Sequence, residues 1–483
     1  MAQAQAAPTE STRTLGQLRA VMSWKVVEYG GLVAFTLLTP RLMGPVLYGR
    51  FAALLAITSL LLTACSLGGL VTFGRFLPQY LAQGDWPKAR ALFVQLFWAR
   101  AALAALLAGV SVVVFASVLP GASWLTLATA AATILLGATA STCYQVFYGL
   151  NRMGRSTSQD ALLRITLLAL VLILGGAQSI ERAVDALFFT QVAFLALGLF
   201  WTRGLFNGER DPFRFAFLLS HLHFGVLFFL AQLMLMAMWR SGEVLILWLT
   251  GRSEEVAFFS IANAVVMTVA MLLIQVAGIL IPRLTTLQVA GDEGTGRWAA
   301  GLALKYLVIG PFLCIYAVYA IAPIAIEVFF GAGYAPVAAN LKVLALGLPA
   351  AGVLGLALAV AVVRKQAGPV LIVNATGFGA FVALSCALVP PLGALGASIS
   401  MASAMVVAAV VACWVFRLLP LLGTARVGLL GLAGLLGVGI VAVPMAPGLP
   451  LGVLASAVFL AVLFGTRLVT VDEVRKIVGG VVR

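Results

Sequence analysis

Fourteen apolar runs of about 20 residues follow one another along this chain, and a helix of that length crosses the hydrocarbon of a bilayer. They cover approximately residues 22–42, 51–74, 93–118, 122–148, 161–179, 183–202, 217–239, 256–281, 299–323, 340–363, 368–389, 394–416, 427–446 and 450–466. The seventh can extend through "VLILWLTG" to about residue 250. Each run is apolar on every face, whereas strands of a membrane barrel alternate apolar with polar positions, so the pattern predicts helices. Composition agrees, since 63% apolar and only 10% charged residues, with a mean hydropathy of +1.11, cannot describe a soluble globule. The expectation is an all-α polytopic membrane protein with about 14 transmembrane helices. Residues 1–12 are polar, and Lys25 and Glu28 interrupt the first run, so a cleaved secretory signal is not expected.

Lys and Arg test that count, because they concentrate in loops on the cytoplasmic side. With both ends placed inside, the inner segments hold 22 of the 30 basic residues and the outer loops five, namely Arg41, Arg50, Arg182, Arg240 and Arg252. Arg100, Lys305 and Lys342 fall inside or at the edge of runs. The bias predicts a multi-pass protein of a bacterial inner membrane with cytoplasmic termini. It also explains the net charge of +14 as a topology signal and a lipid-headgroup contact, so nucleic acid is not an expected partner.

Five cysteines, at 65, 143, 314, 386 and 413, stand singly in apolar runs, which predicts neither a disulfide framework nor a metal site. His221 and His223 lie two apart, on different helix faces, with no third ligand near. No metal and no cofactor are expected.

The two halves share punctuation at an offset of 207 to 208 residues. "GRFLPQYLAQGD" from Gly74 follows the second run and "PRLTTLQVAGD" from Pro282 follows the eighth, so that Arg75 matches Arg283 and Arg90 matches Arg297. Six runs per copy is an even number, so both copies insert the same way, as in transporters built from parallel repeats with the substrate site between halves. The predicted organisation is a polar tail (1–20), two pseudo-symmetric six-helix lobes (21–210 and 211–420) around a central cavity, two additional helices (421–470) and a cytoplasmic tail (471–483).

The segment "LMGPVLYGRFA", with Leu42, Gly44, Pro45, Tyr48, Gly49 and Phe51, followed by "LGGLVTFGRFL", resembles the N-terminal signature of the bacterial oligosaccharide-lipid flippases. These are the O-antigen and exopolysaccharide translocases of the multidrug/oligosaccharidyl-lipid/polysaccharide exporter superfamily. "SGEVLILWLTGRSEEVAFFSIANAV" resembles the family's seventh-to-eighth junction, with Glu243 where members often have Asp, Ala257 where Gly is common and Phe259 where Tyr is usual. The resemblance covers about residues 15–420. It implies two six-helix lobes forming a V that opens alternately to each side.

Charges inside the runs are the candidate site. Twelve residues separate Glu28 from Arg41, a rise of about 20 Å against a hydrocarbon core of about 30 Å, so both cannot reach water at opposite faces. Lys25, three residues from Glu28, can pair with it. The pair is either a lysine snorkelling to headgroups with a neutralising partner, or a pair facing an aqueous cavity, since charge at depth is costly and usually functional. Arg240 and Glu243 repeat the spacing. Lys25, Arg100, Arg240, Lys305 and Lys342 form the expected cationic, substrate-binding set. Glu28 and Glu243 are the charge-pairing or ion-coupling groups, and Arg50, Arg75 and Arg283 are gates or helix-end anchors. No catalytic residue is expected: no lysine follows a glycine, so there is no phosphate loop for ATP, and no outer loop exceeds about 16 residues.

The functional expectation is a secondary transporter, not an enzyme. It would flip polyprenyl-(di)phosphate-linked oligosaccharide from the cytoplasmic to the periplasmic leaflet, in contact with membrane lipids and with a polysaccharide polymerase and export machinery as further partners. The alternatives are a proton- or cation-coupled exporter of amphipathic small molecules and a lipid II flippase.

Overall fold

A computed structural model describes residues 10–209, 211–212, 215–290, 292–364, 366–422, 424–441, 448–466 and 468–469, with side chains from residue 21 onward at most of these positions. The expected tail 471–483 and residues 1–9 lie outside the described residues. Among them the chain is helical without strands: α1 (Glu10–Ala64), α2 (Gly69–Ala82), α3 (Trp86–Val118), α4 (Trp124–Gly149), α5 (Met153–Ile173), α6 (Ile180–Phe206), α7 (Phe215–Thr250), α8 (Ser253–Gly278), α9 (Leu280–Val289), α10 (Glu293–Phe330), α11 (Pro336–Ala345), α12 (Leu348–Val363), α13 (Ala367–Leu392), α14 (Ala394–Val415), α15 (Leu419–Leu422), α16 (Thr424–Val441) and α17 (Gly448–Gly465). Among the described residues ten stretches are long and apolar enough to cross a membrane, and the α11–α12 pair, bent by 44°, makes an eleventh if taken as one span. The first of these, Val21–Ala82, has 62 residues and is long enough for two crossings. Outward faces such as Trp98, Leu106, Val110 and Val113 of α3 stay exposed, as lipid-facing side chains do.

Backbone punctuation separates the runs. Within α1, Gly44 takes φ 74 and ψ 166, a conformation open only to glycine, and divides a first helix from one that begins at Pro45. That second helix breaks at Leu67 and Gly68, both with positive φ, before α2. Gly68 is needed there, because a Cβ would stand 3.2 Å from the carbonyl oxygen of Gly225 in α7.

Three boundaries differ from the reading of runs, each for an electrostatic or steric reason. α5 starts at Met153, so Asp160 lies in the helix and not before it. α7 continues to Thr250, the longer of the two extents open to the seventh run, which places Arg240 within a helix and not in an outer loop, since Glu243 one turn on partly neutralises it. The tenth run is two helices, because Gly347 and Pro349 interrupt it.

Two helix caps share one geometry. Asp85 opens α3 at φ −86 and ψ 69, accepting the Lys88 amide, and Asp292 opens α10 at φ −84 and ψ 70, accepting the Thr295 amide. The two positions are 207 apart, as are Gly44 and Gly251, both with positive φ.

The chain divides into two compact units, Met1–Met236 and Ala237–Arg483. The division falls within α7, because its first half belongs with α2: Tyr80 reaches His221 and Gly68 meets Gly225. In the first unit an aromatic core of Phe73, Phe93, Phe97 and Phe147 ties α2, α3 and α4 together. In the second, α16 and α17 pack on α10, where the Tyr316 hydroxyl donates to the Gly434 carbonyl at 3.0 Å and Phe459 stacks edge-on against Tyr316. Glycines at 434, 437 and 452 permit that approach, since a Cβ at any of them would strike Phe312, Tyr316 or Ala320.

Candidate functional site

In the first unit, α1 carries Lys25 and Glu28 one turn apart, with Nζ 2.7 Å from Oε2. α5 runs against α1: Gly31 is small enough that a Cβ there would meet Ile165 at 2.9 Å and the Ala161 carbonyl at 3.7 Å. One turn from that crossing, Asp160 of α5 lies within electrostatic reach of Glu28, Lys25 and Arg164. Asp160 and Arg164 are spaced i,i+4 and share a face. Four charges, two of each sign, therefore gather on two packed helices, with Glu28 about 10 Å beyond the start of the apolar stretch at Val21. Run counting had left Asp160 just before the fifth run and Arg164 near its start. The signal that could have found them was their opposite charge at helical spacing, the same signal that marks Lys25 and Glu28.

The set is electrically balanced, and this defines what it can do. Paired ions inside a membrane protein persist only when hydrogen-bonded or near water. Lys25 retains 31% of its side-chain exposure and Glu28 16%, so the ion pair is only partly enclosed.

In the second unit, Glu243 of α7 is 1% exposed, while Arg240 keeps 27%. Their nearest atoms are 3.9 Å apart, an attraction through space longer than a hydrogen bond. Among the described residues the Glu243 Oε2 has no hydrogen-bond partner within bonding distance, and neither do Asn263 Oδ1 of α8 and Trp239 Nε1. Asn263 uses its amide nitrogen on the Trp239 carbonyl at 2.9 Å. Gly242 admits the Phe259 ring and lets α7 and α8 approach closely.

The remaining expected residues are scattered. Arg100 is fully buried inside the first unit. Its Nε donates to the Cys65 carbonyl at 3.1 Å, Nη1 to Gln145 Oε1 at 2.8 Å and Nη2 to Ser141 Oγ at 2.8 Å, so its guanidinium closes the break between α1 and α2. Lys305 is nearly buried, 5.4 Å from the Tyr306 ring, and Lys342, in the last turn of α11, lies 5.5 Å from the Tyr319 ring. Arg50 is half-buried in α1, and Arg75 is exposed on α2 over Phe76. The side chains of Arg283 and His223 lie outside the described residues. His221 faces the Phe217 carbonyl with Nδ1, at 2.6 Å, so that nitrogen carries the proton and Nε2 accepts from the Tyr80 hydroxyl, also at 2.6 Å. Among the described residues no three His, Cys, Asp or Glu side chains gather as a metal site would require.

Comparison with known proteins follows this geometry. A search of curated proteins gives no match. Among solved structures, the chain is similar to the lipid II flippase MurJ in an inward closed conformation, with 12% identity and a TM-score of 0.65 over 93% of this chain and 100% of that one. It is also similar to an inward-facing multidrug resistance MATE family transporter of the MOP superfamily (15% identity, TM-score 0.63, 82% of this chain and 98% of that one). A mutant of the Vibrio cholerae MATE transporter VcmN is similar as well (16% identity, TM-score 0.58, 84% and 97%). These likenesses establish a shared fold. The family model described as "Polysaccharide biosynthesis protein" matches residues 22–288, which is 267 of 483 residues. Spanning more than half of the chain and both charged helices of the first unit, that match shows that the protein belongs to the polysaccharide biosynthesis protein family.

Proposed function

We propose that this protein is a secondary transporter that moves a polyprenyl-(di)phosphate-linked oligosaccharide from the cytoplasmic to the periplasmic leaflet of a bacterial inner membrane by alternating access, in exopolysaccharide or O-antigen assembly. The observation that carries this reading is the balanced set of ionised side chains on α1 and α5, in a chain of the polysaccharide biosynthesis family. The cargo's difficulty is its head, because taking phosphate charge and many hydroxyls into hydrocarbon has a large desolvation cost. A wet, cationic cleft removes that barrier while the polyprenyl tail stays in lipid. Lys25, Arg240, Lys305 and Lys342 draw the phosphates, and Glu28 and Glu243 compete for the same cations and keep binding weak enough for release. Arg100, its donors already committed, holds the helix break in shape. MurJ, a lipid II flippase by name and similar in fold, supports a lipid-linked cargo. Direction needs no ATP, since moving two negative charges out of an inside-negative cell gains about 4.6 kcal/mol per 100 mV. A polymerase and export machinery are the partners that take the product onward.

The buried, partly unpartnered carboxyl of Glu243 favours a second reading, an ion-coupled exporter of amphipathic small molecules. Proteoliposomes loaded with a labelled polyprenyl-linked sugar separate the two. Protein-dependent appearance of the sugar in the opposite leaflet is the expected result; drug efflux without sugar movement would replace the first reading with the second.

A further inference from the structure

A separate cavity of about 360 Å³ lies within the second unit, where α9 and the start of α10 meet the C-terminal ends of α12 and α14. That volume is in the range of small-ligand sites. Its floor is apolar, with Leu284, Phe416 and Leu418 buried. Its rim carries Arg297, Arg364 and Arg417, each from a different element and each exposed. Among the described residues of the lining the one acid, Asp292, is engaged: the Thr295 amide holds its carboxyl below the usual carboxylate range. Three positive charges and one negative leave a net +2 around an apolar floor.

Two features separate this cluster from ordinary topology-setting arginines. The first is partnership. In the first unit, Arg155 lies against Phe147 and Trp201, Arg203 against Phe200, and Arg90 against Trp86 and the Glu209 carbonyl. Among the described residues, the side chains of Arg364 and Arg417 make no ion pair, ring contact or hydrogen bond, whereas Arg297 has a partner. The second is backbone. α14 ends in a left-handed turn in which the Leu418 amide reaches the Cys413 carbonyl at 3.0 Å, and the left-handed residue, φ 54, is Arg417. Glycine fills that position without steric cost, yet an arginine stands there with its side chain lining the cavity. Membrane orientation needs arginine somewhere in these loops, but not convergence on one cavity nor occupation of the glycine position.

We propose that this cavity binds a phosphate-ester headgroup, gripped by Arg297, Arg364 and Arg417, with the apolar part of the ligand on Leu284 and Phe416. Arginine forks match phosphate oxygens, and the net charge suits a mono- or dianion. The arginine bias puts the site on the cytoplasmic side, where two sources supply the chemistry: an anionic membrane lipid and a soluble phosphate ester.

The test uses the purified full-length protein in detergent, titrated with dioctanoyl phosphatidylglycerol, dioctanoyl phosphatidylcholine and glycerol phosphate, with binding followed by native mass spectrometry. Saturable binding of the anionic lipid is expected, weakened about tenfold or more by Arg364→Gln and by Arg417→Gly, as loss of a charged hydrogen bond implies. Arg417→Gly suits the turn, so its melting temperature should equal or exceed that of the wild type and loss of ligand cannot be blamed on unfolding. Competition by glycerol phosphate identifies a soluble ester as a ligand of the site, and its failure to compete identifies the membrane lipid; either supports a phosphate site. Absence of saturable binding, wild-type binding by both variants, or an equal loss in Arg203→Gln would overturn the proposal. No glycan is present in the assay, so its outcome is independent of the transport reading.

Discussion

Replacing Arg100 by alanine distinguishes a guanidinium that shapes the protein from one that meets cargo. The substitution leaves the Cys65 carbonyl and Gln145 Oε1 without their donor, while Ser141 still accepts from Gln145 at 3.3 Å. A buried acceptor left unsatisfied costs about 1–3 kcal/mol, so two give about 4 kcal/mol at mid-range. Removing a buried charge relieves some desolvation, but bonds of 2.8–3.1 Å on all three nitrogens show that the charge is compensated where it lies. At about 2–4 °C per kcal/mol for a unit of this size, the transition of the first unit should fall by about 8–16 °C. Scanning fluorimetry on the purified protein, using its tryptophans, reads that shift. Arg100→Lys keeps the charge but not the fork and should lose about half as much. Gly69→Ala is an independent probe, because its methyl group would stand 2.9 Å from Nη1 and 3.0 Å from Gln145 Oε1, so it should destabilise in the same direction without removing any charge. If Arg100→Ala melts within about 2 °C of the wild type while glycan export fails, the guanidinium contacts cargo and the structural account is wrong.

Three further outcomes follow from other parts of the molecule. Lys25→Ala combined with Arg240→Ala should abolish surface glycan while membrane insertion persists; wild-type glycan with normal protein levels would remove both residues from the cargo path. Tyr316→Phe loses the bond to Gly434 and about 1 kcal/mol, which hydrogen exchange should register as reduced protection in α16 with α3 unchanged. At the helix starts, Asp85 is held below the usual carboxylate value of 3.8 by its Lys88 hydrogen bonds, and Asp292 likewise by the Thr295 amide. A depressed folded-state value means that this stabilisation is present above pH of about 4 and is lost as pH falls through the lowered value. Amide protection at Lys88 and Thr295 should therefore decay on acidification, and Asp85→Asn and Asp292→Asn should flatten that decay at their own helix.

Membrane helices are legible in a sequence because hydrocarbon thickness imposes a length, and no tertiary contact can change it. The repeat is legible for a related reason: Gly44 and Gly251, or Asp85 and Asp292, are demanded by local backbone geometry that each copy must reproduce on its own. Side-chain direction is different. Hydropathy counts a charge without asking what faces it, so α5 seemed to begin only after its Asp160, and Arg240 was counted in an outer loop although α7 continues through it. Spacing carries the missing information. Lys25 with Glu28, Asp160 with Arg164, and Arg240 with Glu243 each set opposite charges three or four residues apart, and in each case the helix continues through them. Arg100 has no acid within a turn on either side, and it is the one that turns inward to a backbone carbonyl and two polar side chains. Two fates open to a basic residue inside an apolar run are thus a local carboxylate that leaves its head able to exchange partners and full enclosure by neutral acceptors, while Lys305 and Lys342 take a third beside a tyrosine ring. The first kind can hand its charge to a phosphate; the second cannot without breaking the fold.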